Sequence, residues 1–135
     1  MRVFLDTNVL VSAFASRGLC AEVLELVILD HDLILGQAVL RELEKALREK
    51  VKLPTALSVE IIDFVSSEAS QVVDQAEPAN VNVGAADALV LGEALAGRAD
   101  LFVTGDAALL RLASVGALKI VSPRQFWEVL RAGNG

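Results

Sequence analysis

Four acids in this 135-residue sequence stand where carboxylates can do chemistry. Asp6 ends the apolar run Val3-Phe4-Leu5, and Asp106 follows the run Leu101-Phe102-Val103 after one Thr-Gly pair. Glu42 lies at the margin of a helical apolar stripe, and Asp87 falls in the first turn of an Ala- and Leu-rich segment. Carboxylates brought together repel and hold protons unless a cation is present. Cys20 and His31 are the sole cysteine and histidine, so a zinc site built on Cys or His and a Ser-His-Asp triad are disfavoured. Oxygen-only donors favour a hard divalent ion, Mg²⁺ or Mn²⁺. Such a site can bind a phosphodiester, bring a metal-activated water in line and stabilise the leaving oxygen. Asn8 and Thr104 are short polar residues placed to orient those carboxylates or a water.

Each of these residues also has an ordinary use. Asp6 and Asp106 can cap the helices that follow them, and an acid in a first turn, as at Asp87, suits the helix dipole. Glu42 can sit on a solvated face or pair with Lys45, and Asn8 can close a local turn. No acid is persuasive alone; the question is whether the elements bring all four together.

Val3-Phe4-Leu5 shows no polar alternation, as in a strand buried on both faces of a parallel sheet. A largely buried helix is expected over 21–29, a turn at Asp30-His31-Asp32, and a second strand over 33–35 ended by Gly36. Val39, Leu40, Leu43, Ala46 and Leu47 make one stripe of a helix over 37–50, with Arg41, Lys45 and Arg48 opposite. Pro54 opens a third helix, 71–73 is a minimal strand, and the polar stretch 74–83 reads as a loop at the site rim. A helix over 85–98, a strand over 100–103, a helix over 107–114 and a strand over 119–121 follow. Ser122-Pro123-Arg124-Gln125 is a capping box for a terminal helix carrying Phe126 and Trp127. Strands alternating with helices indicate an α/β/α sandwich around a mainly parallel sheet of about five strands. Parallel strands end on the same side, so Asp6 and Asp106 share one sheet edge, with Glu42 and Asp87 in reach.

One domain over 1–135 is expected from the length. The chain is 54% hydrophobic, yet no apolar run approaches the roughly 18 residues that span a bilayer. The first residues lack the basic start and cleavage site of a signal peptide, and one cysteine suits a reducing cytoplasm. A net charge of −6 argues against a broad basic surface for nucleic acid, although acids gathered at a cation site reverse the local sign. Arg41, Lys45, Arg48, Lys50 and Lys52 form the densest basic group and can contact RNA phosphates or simply be solvated.

LDTNVLVSAF, RELEKAL and ADALVLGEALAGRADLFVTGDAALL, in that order, resemble a PIN-domain protein, closest to the toxin components of bacterial and archaeal toxin–antitoxin pairs. The resemblance covers nearly the whole chain. It implies a compact α/β/α domain that cleaves RNA with Mg²⁺ or Mn²⁺. By motif position, the family's four acids fall on Asp6, Glu42, Asp87 and Asp106, and its supporting polar positions on Asn8 and Thr104. Similar proteins commonly form homodimers and are held inactive by a small antitoxin encoded beside them. Two departures stand out: relatives often carry an acidic run before the fourth helix, where this chain has Asn80, Asn82, Gly84 and only then Asp87. Many also have a second acid after VTGD, where Ala107 and Ala108 stand here. Both thin the supply of ligands for a second metal.

A PIN-like module that binds RNA or protein without cleaving is the competing reading, supported by those departures. A phosphoacceptor receiver or HAD-like phosphatase also puts an Asp at a strand end. The latter normally has a second Asp two residues on, where Asn8 stands, and the former needs a lysine late in its last strand, whereas Lys119 begins one.

Overall fold

A computed structural model describes residues 1–133 of the chain. The first strand, β1 (Arg2–Leu5), passes at Asp6 into α1 (Thr7–Ala15), followed by α2 (Leu19–Asp30) and β2 (Asp32–Gly36). Then come α3 (Gln37–Glu49), α4 (Thr55–Glu68), β3 (Gln71–Val73) and α5 (Ala85–Ala96). The last part is β4 (Leu101–Val103), α6 (Ala107–Leu112), β5 (Ser114–Val115), β6 (Leu118–Val121) and α7 (Pro123–Gly133).

The strands form one sheet in the order β3-β2-β1-β4-β6-β5, parallel throughout except for the β5–β6 pair. Unbroken apolar strands explain that parallel centre, because helices cover both faces. Val3, Phe4, Leu5, Ile34, Leu35, Phe102 and Val103 are fully buried. Phe4 lies opposite Phe102 in the register, with the two rings stacked at 5.4 Å between centroids.

The strand order also determines where a site can form. From β1 the chain winds outward one way through β2 and β3, then returns to lay β4 on the other flank of β1. The carboxyl ends of β1 and β4 therefore flank the point where winding reverses, the crevice in which open α/β sheets bind ligands. Asp6 leaves β1 there, its N–H bonded to the Val103 carbonyl at 3.0 Å.

The sheet has six strands, one more than the sequence pattern predicts. The helix expected through Ser114 stops at Leu112, and Ser114–Val115 pairs with Leu118–Lys119 as a small hairpin. Two left-handed residues make this possible: Ala113 at φ 61° turns the chain out of the helix, and Gly116 at φ 59° closes the turn. The capping box before α7 is formed reciprocally, Gln125 N–H donating to Ser122 Oγ and Ser122 N–H to Gln125 Oε1. His31 caps the end of α2, its Nδ1 3.2 Å from the terminal amine, and burial with that cation lowers its pKa. Among the described residues no helix is long and apolar enough to cross a membrane.

Candidate functional site

The α1 helix begins at Thr7, which makes Asp6 its cap: one carboxylate oxygen, Oδ1, accepts from the Thr7 N–H at 2.8 Å. The other oxygen has different company. Asp6 Oδ2 accepts from the Thr104 hydroxyl at 2.8 Å and from the Asn8 amide at 3.2 Å. Thr104, wholly buried just beyond β4, accepts the Asp106 N–H at 3.0 Å, and Asn8 Oδ1 accepts the Gly105 N–H at 2.8 Å. Two strand ends distant in sequence are thus tied by hydrogen bonds through Asn8 and Thr104.

Asp106 caps α6, accepting from the Ala108 N–H at 2.8 Å and the Leu109 N–H at 3.3 Å. Capping does not compete with a second role, since a carboxylate has more acceptor positions than a cap uses. Glu42 is not paired with Lys45; its Oε2 accepts the Thr7 hydroxyl at 2.7 Å, which holds it toward the end of β1. The ion pair formed on that helix is instead Glu44 with Arg48, 3.5 Å apart on exposed side chains.

Asp6, Glu42, Asp87 and Asp106 all line one cavity of about 650 Å³, together with Thr7, Asn8, Lys45, Glu49 and Lys50. Of the basic residues expected to contact phosphates, Lys45 and Lys50 lie on it. Arg41 faces a neighbouring cavity with Asp74 and Glu77, and Arg48 borders neither. Thr7 and Glu49, with Val11, Ser12 and Ala46, are the lining residues that the sequence pattern does not assign to the site. Two of these positions carry a signal nonetheless: Thr7 follows Asp6, while Glu49 lies two helical turns beyond Glu42 and shares its face.

The cavity's electrostatics are those of a crowded acid cluster. Asp6 is 6% exposed and its pKa is pushed up to about 6. Burial is the main cause; hydrogen bonds from Thr104 and Thr7 pull it back, and Glu42 and Asp87 push it further up. Burial, then the charge of Asp106, raises Asp87 as well. A divalent cation relieves both effects, so the donor set suits a hard ion. Among the described residues no three acids, imidazoles or thiols are gathered into a finished metal cage. Mg²⁺ does not need one: it keeps several waters and is commonly held by one or two carboxylates together with substrate phosphates.

No curated protein matches the chain. Among solved structures, the fold is similar to that in VapBC2 from Rickettsia felis bound to a DNA fragment from their promoter. That match has a TM-score of 0.67 and 19% identity, covering 90% of this chain and 98% of the other. VapBC-1 from nontypeable Haemophilus influenzae gives a TM-score of 0.65 at 17% identity, covering 92% and 99%. A family model described as a PIN domain matches residues 2–108, the span that contains β1 to β4 and all five acids that line the cavity. The chain therefore belongs to the PIN-domain family.

Proposed function

We propose that the protein is a metal-dependent endoribonuclease acting as one PIN-like domain over its length, the toxin of a toxin–antitoxin pair. The observation that carries this reading is the convergence of Asp6, Glu42, Asp87 and Asp106 on one cavity at the point where the sheet's winding reverses. Asp6 is the central ligand for Mg²⁺ or Mn²⁺, with Asp106, Asp87 and Glu42 as the further oxygen donors. When bound, the ion supplies an activated water and neutralises charge on the scissile phosphate.

The chain's own groups have separate tasks. Thr104 and Asn8 hold Asp6 Oδ2 in place, and Thr7 holds Glu42. Lys45 and Lys50, on the cavity wall, take phosphates flanking the cleaved one. Arg41 extends that contact toward the neighbouring cavity, and Arg48, tied to Glu44, contributes least. A cytoplasmic location, a homodimer and a small inhibitory antitoxin belong to the same reading; the fold shared with the VapBC structures supports the partner.

The test is cleavage of a labelled RNA by purified protein with Mg²⁺ or Mn²⁺ and its loss in EDTA. Cleavage that continues unchanged in EDTA overturns the mechanism. RNA retained without products in the presence of metal supports a non-cleaving module instead, the reading favoured by Ala107 and Ala108 standing where a further acid is common.

Thr104→Val keeps shape but removes the hydroxyl that donates to Asp6 and accepts from Asp106 N–H. It is expected to lower Mn²⁺ affinity by about 10- to 100-fold, the usual effect of losing a group that orients a ligand. Calorimetric titration of the folded variant measures this, and unchanged affinity would show that Thr104 serves packing alone.

A further inference from the structure

One buried acid has no part in the site so far. Glu93, in the last turn of α5, is 3% exposed, and its apolar neighbours Leu91 and Ala94 are fully buried. A carboxyl group in such surroundings is costly unless it replaces the hydrogen bonds lost to water. Its Oε2 accepts the Ala38 N–H at 2.9 Å, while Oε1 has no hydrogen-bond partner among the described residues.

Ala38 belongs to the first turn of α3, where helix N–H groups have no partners within the helix. Such groups are usually met by a capping side chain, but the cap position is Gly36, which has none. Glu93 fills that role from another helix, its charge suited to the positive end of the α3 dipole. Gly36 is part of the same arrangement. Its backbone, at φ −137° and ψ 162°, is open to any residue, so conformation does not require glycine here. Space does: a Cβ at position 36 would overlap the Glu93 carboxyl.

The capped turn leads directly to the acid cavity. Ala38 and Glu42 are four residues apart, stacked on one face of α3, and Glu42 reaches across to the Thr7 hydroxyl at 2.7 Å. Rotation or sliding of α3 by a fraction of a turn would carry Glu42 off Thr7.

We propose that Glu93 is a positioning residue: bound to the first turn of α3 in the space left by Gly36, it sets the helix so that Glu42 meets Thr7 at the cavity. Its consequence for metal binding rests on the function proposed above; its geometric content does not. Glu93→Gln keeps an oxygen for the Ala38 N–H, whereas Glu93→Ala removes it. Gly36→Ala leaves Glu93 present but displaces its carboxyl group.

The experiment compares these full-length variants with the wild type, free of metal, by NMR of the Thr7 and Glu42 side chains and amide exchange at Ala38 and Val39. It then compares Mn²⁺ affinity. Glu93→Ala and Gly36→Ala are expected to break the Thr7–Glu42 contact, speed exchange at Ala38 and weaken Mn²⁺ by about tenfold, the lower end for losing a positioning group. Glu93→Gln is expected to keep the contact and the affinity. A Thr7–Glu42 contact that persists in Glu93→Ala, or is lost in Glu93→Gln, overturns the proposal. Should Glu93→Ala not fold, a contact unchanged in Gly36→Ala overturns it equally. If the wild type neither binds Mn²⁺ nor cleaves RNA, the proposed function fails while the NMR contact still decides the role of Glu93.

Discussion

Asp6→Asn is expected to abolish RNA cleavage in Mg²⁺ or Mn²⁺, by about 10³-fold or more, with the fold retained. The size follows from what the ion contributes: several kcal/mol of charge stabilisation at the phosphate, each about 1.4 kcal/mol being a factor of ten in rate. Asp6 is where that contribution is most exposed to loss, because it joins both strand ends. It is held through Oδ1 by Thr7 and through Oδ2 by Thr104 and Asn8, which fixes both of its oxygens. The fold survives because an asparagine carbonyl still accepts the Thr7 N–H and keeps α1 capped. Single-turnover cleavage of a labelled RNA, with circular dichroism as the control for folding, measures the effect. Wild-type cleavage by the Asp6→Asn protein would sink the mechanism centred on Asp6, since the cavity's other acids would then suffice.

The parts of this molecule visible in its sequence are those governed by short-range pattern. Val3-Phe4-Leu5 and Leu101-Phe102-Val103 announce central strands because burial on both faces removes polar alternation. Ser122 and Gln125 announce the start of α7 because a capping box is local chemistry. Once those strands are parallel, topology places Asp6 and Asp106 at one edge without further information.

What stayed hidden depends on contacts across long separations or on special backbone angles. The β5–β6 hairpin needs Ala113 in the left-handed region, which an alanine does not advertise. Lys45 looks like a partner for Glu42 from spacing alone, yet Glu42 turns to Thr7, 35 residues away in the chain. Glu93 shows itself in sequence only as an acid inside the apolar run LVLGEALA. Its partner in the first turn of α3 is 55 residues distant, and no helical periodicity relates the two. Gly36 carries no signal of its own, because its reason lies in the space filled by that carboxyl.

The metal-free protein is expected to lose stability as pH rises from about 4 to about 6, the reverse of the usual acid-denaturation trend. Asp6 is the main source. Its pKa moves from the ordinary 3.8 to about 6 on folding, so within that window the folded chain binds more protons than the unfolded one. Stability from this group is therefore full below about pH 4, falls through the window and is flat above it, because there both states are ionised. The two values differ by about 2 pH units, or about 3 kcal/mol at about 1.4 kcal/mol per unit. Asp87 and Glu93, also raised by burial, act in the same direction. Urea unfolding at a series of pH values without divalent ions measures the slope, and Asp6→Asn is expected to remove most of it. At pH 7 that variant gains less than the full figure, because its new NH₂ faces the Asn8 amide nitrogen where a carboxylate had accepted. Saturating Mg²⁺ should cancel the slope in the wild type, since an ion that binds only the folded, ionised carboxylates stabilises that state by mass action. A metal-free profile that rises through the same window, or one that Asp6→Asn leaves unaltered, would mean that the cost of burying Asp6 ionised is met elsewhere in the fold.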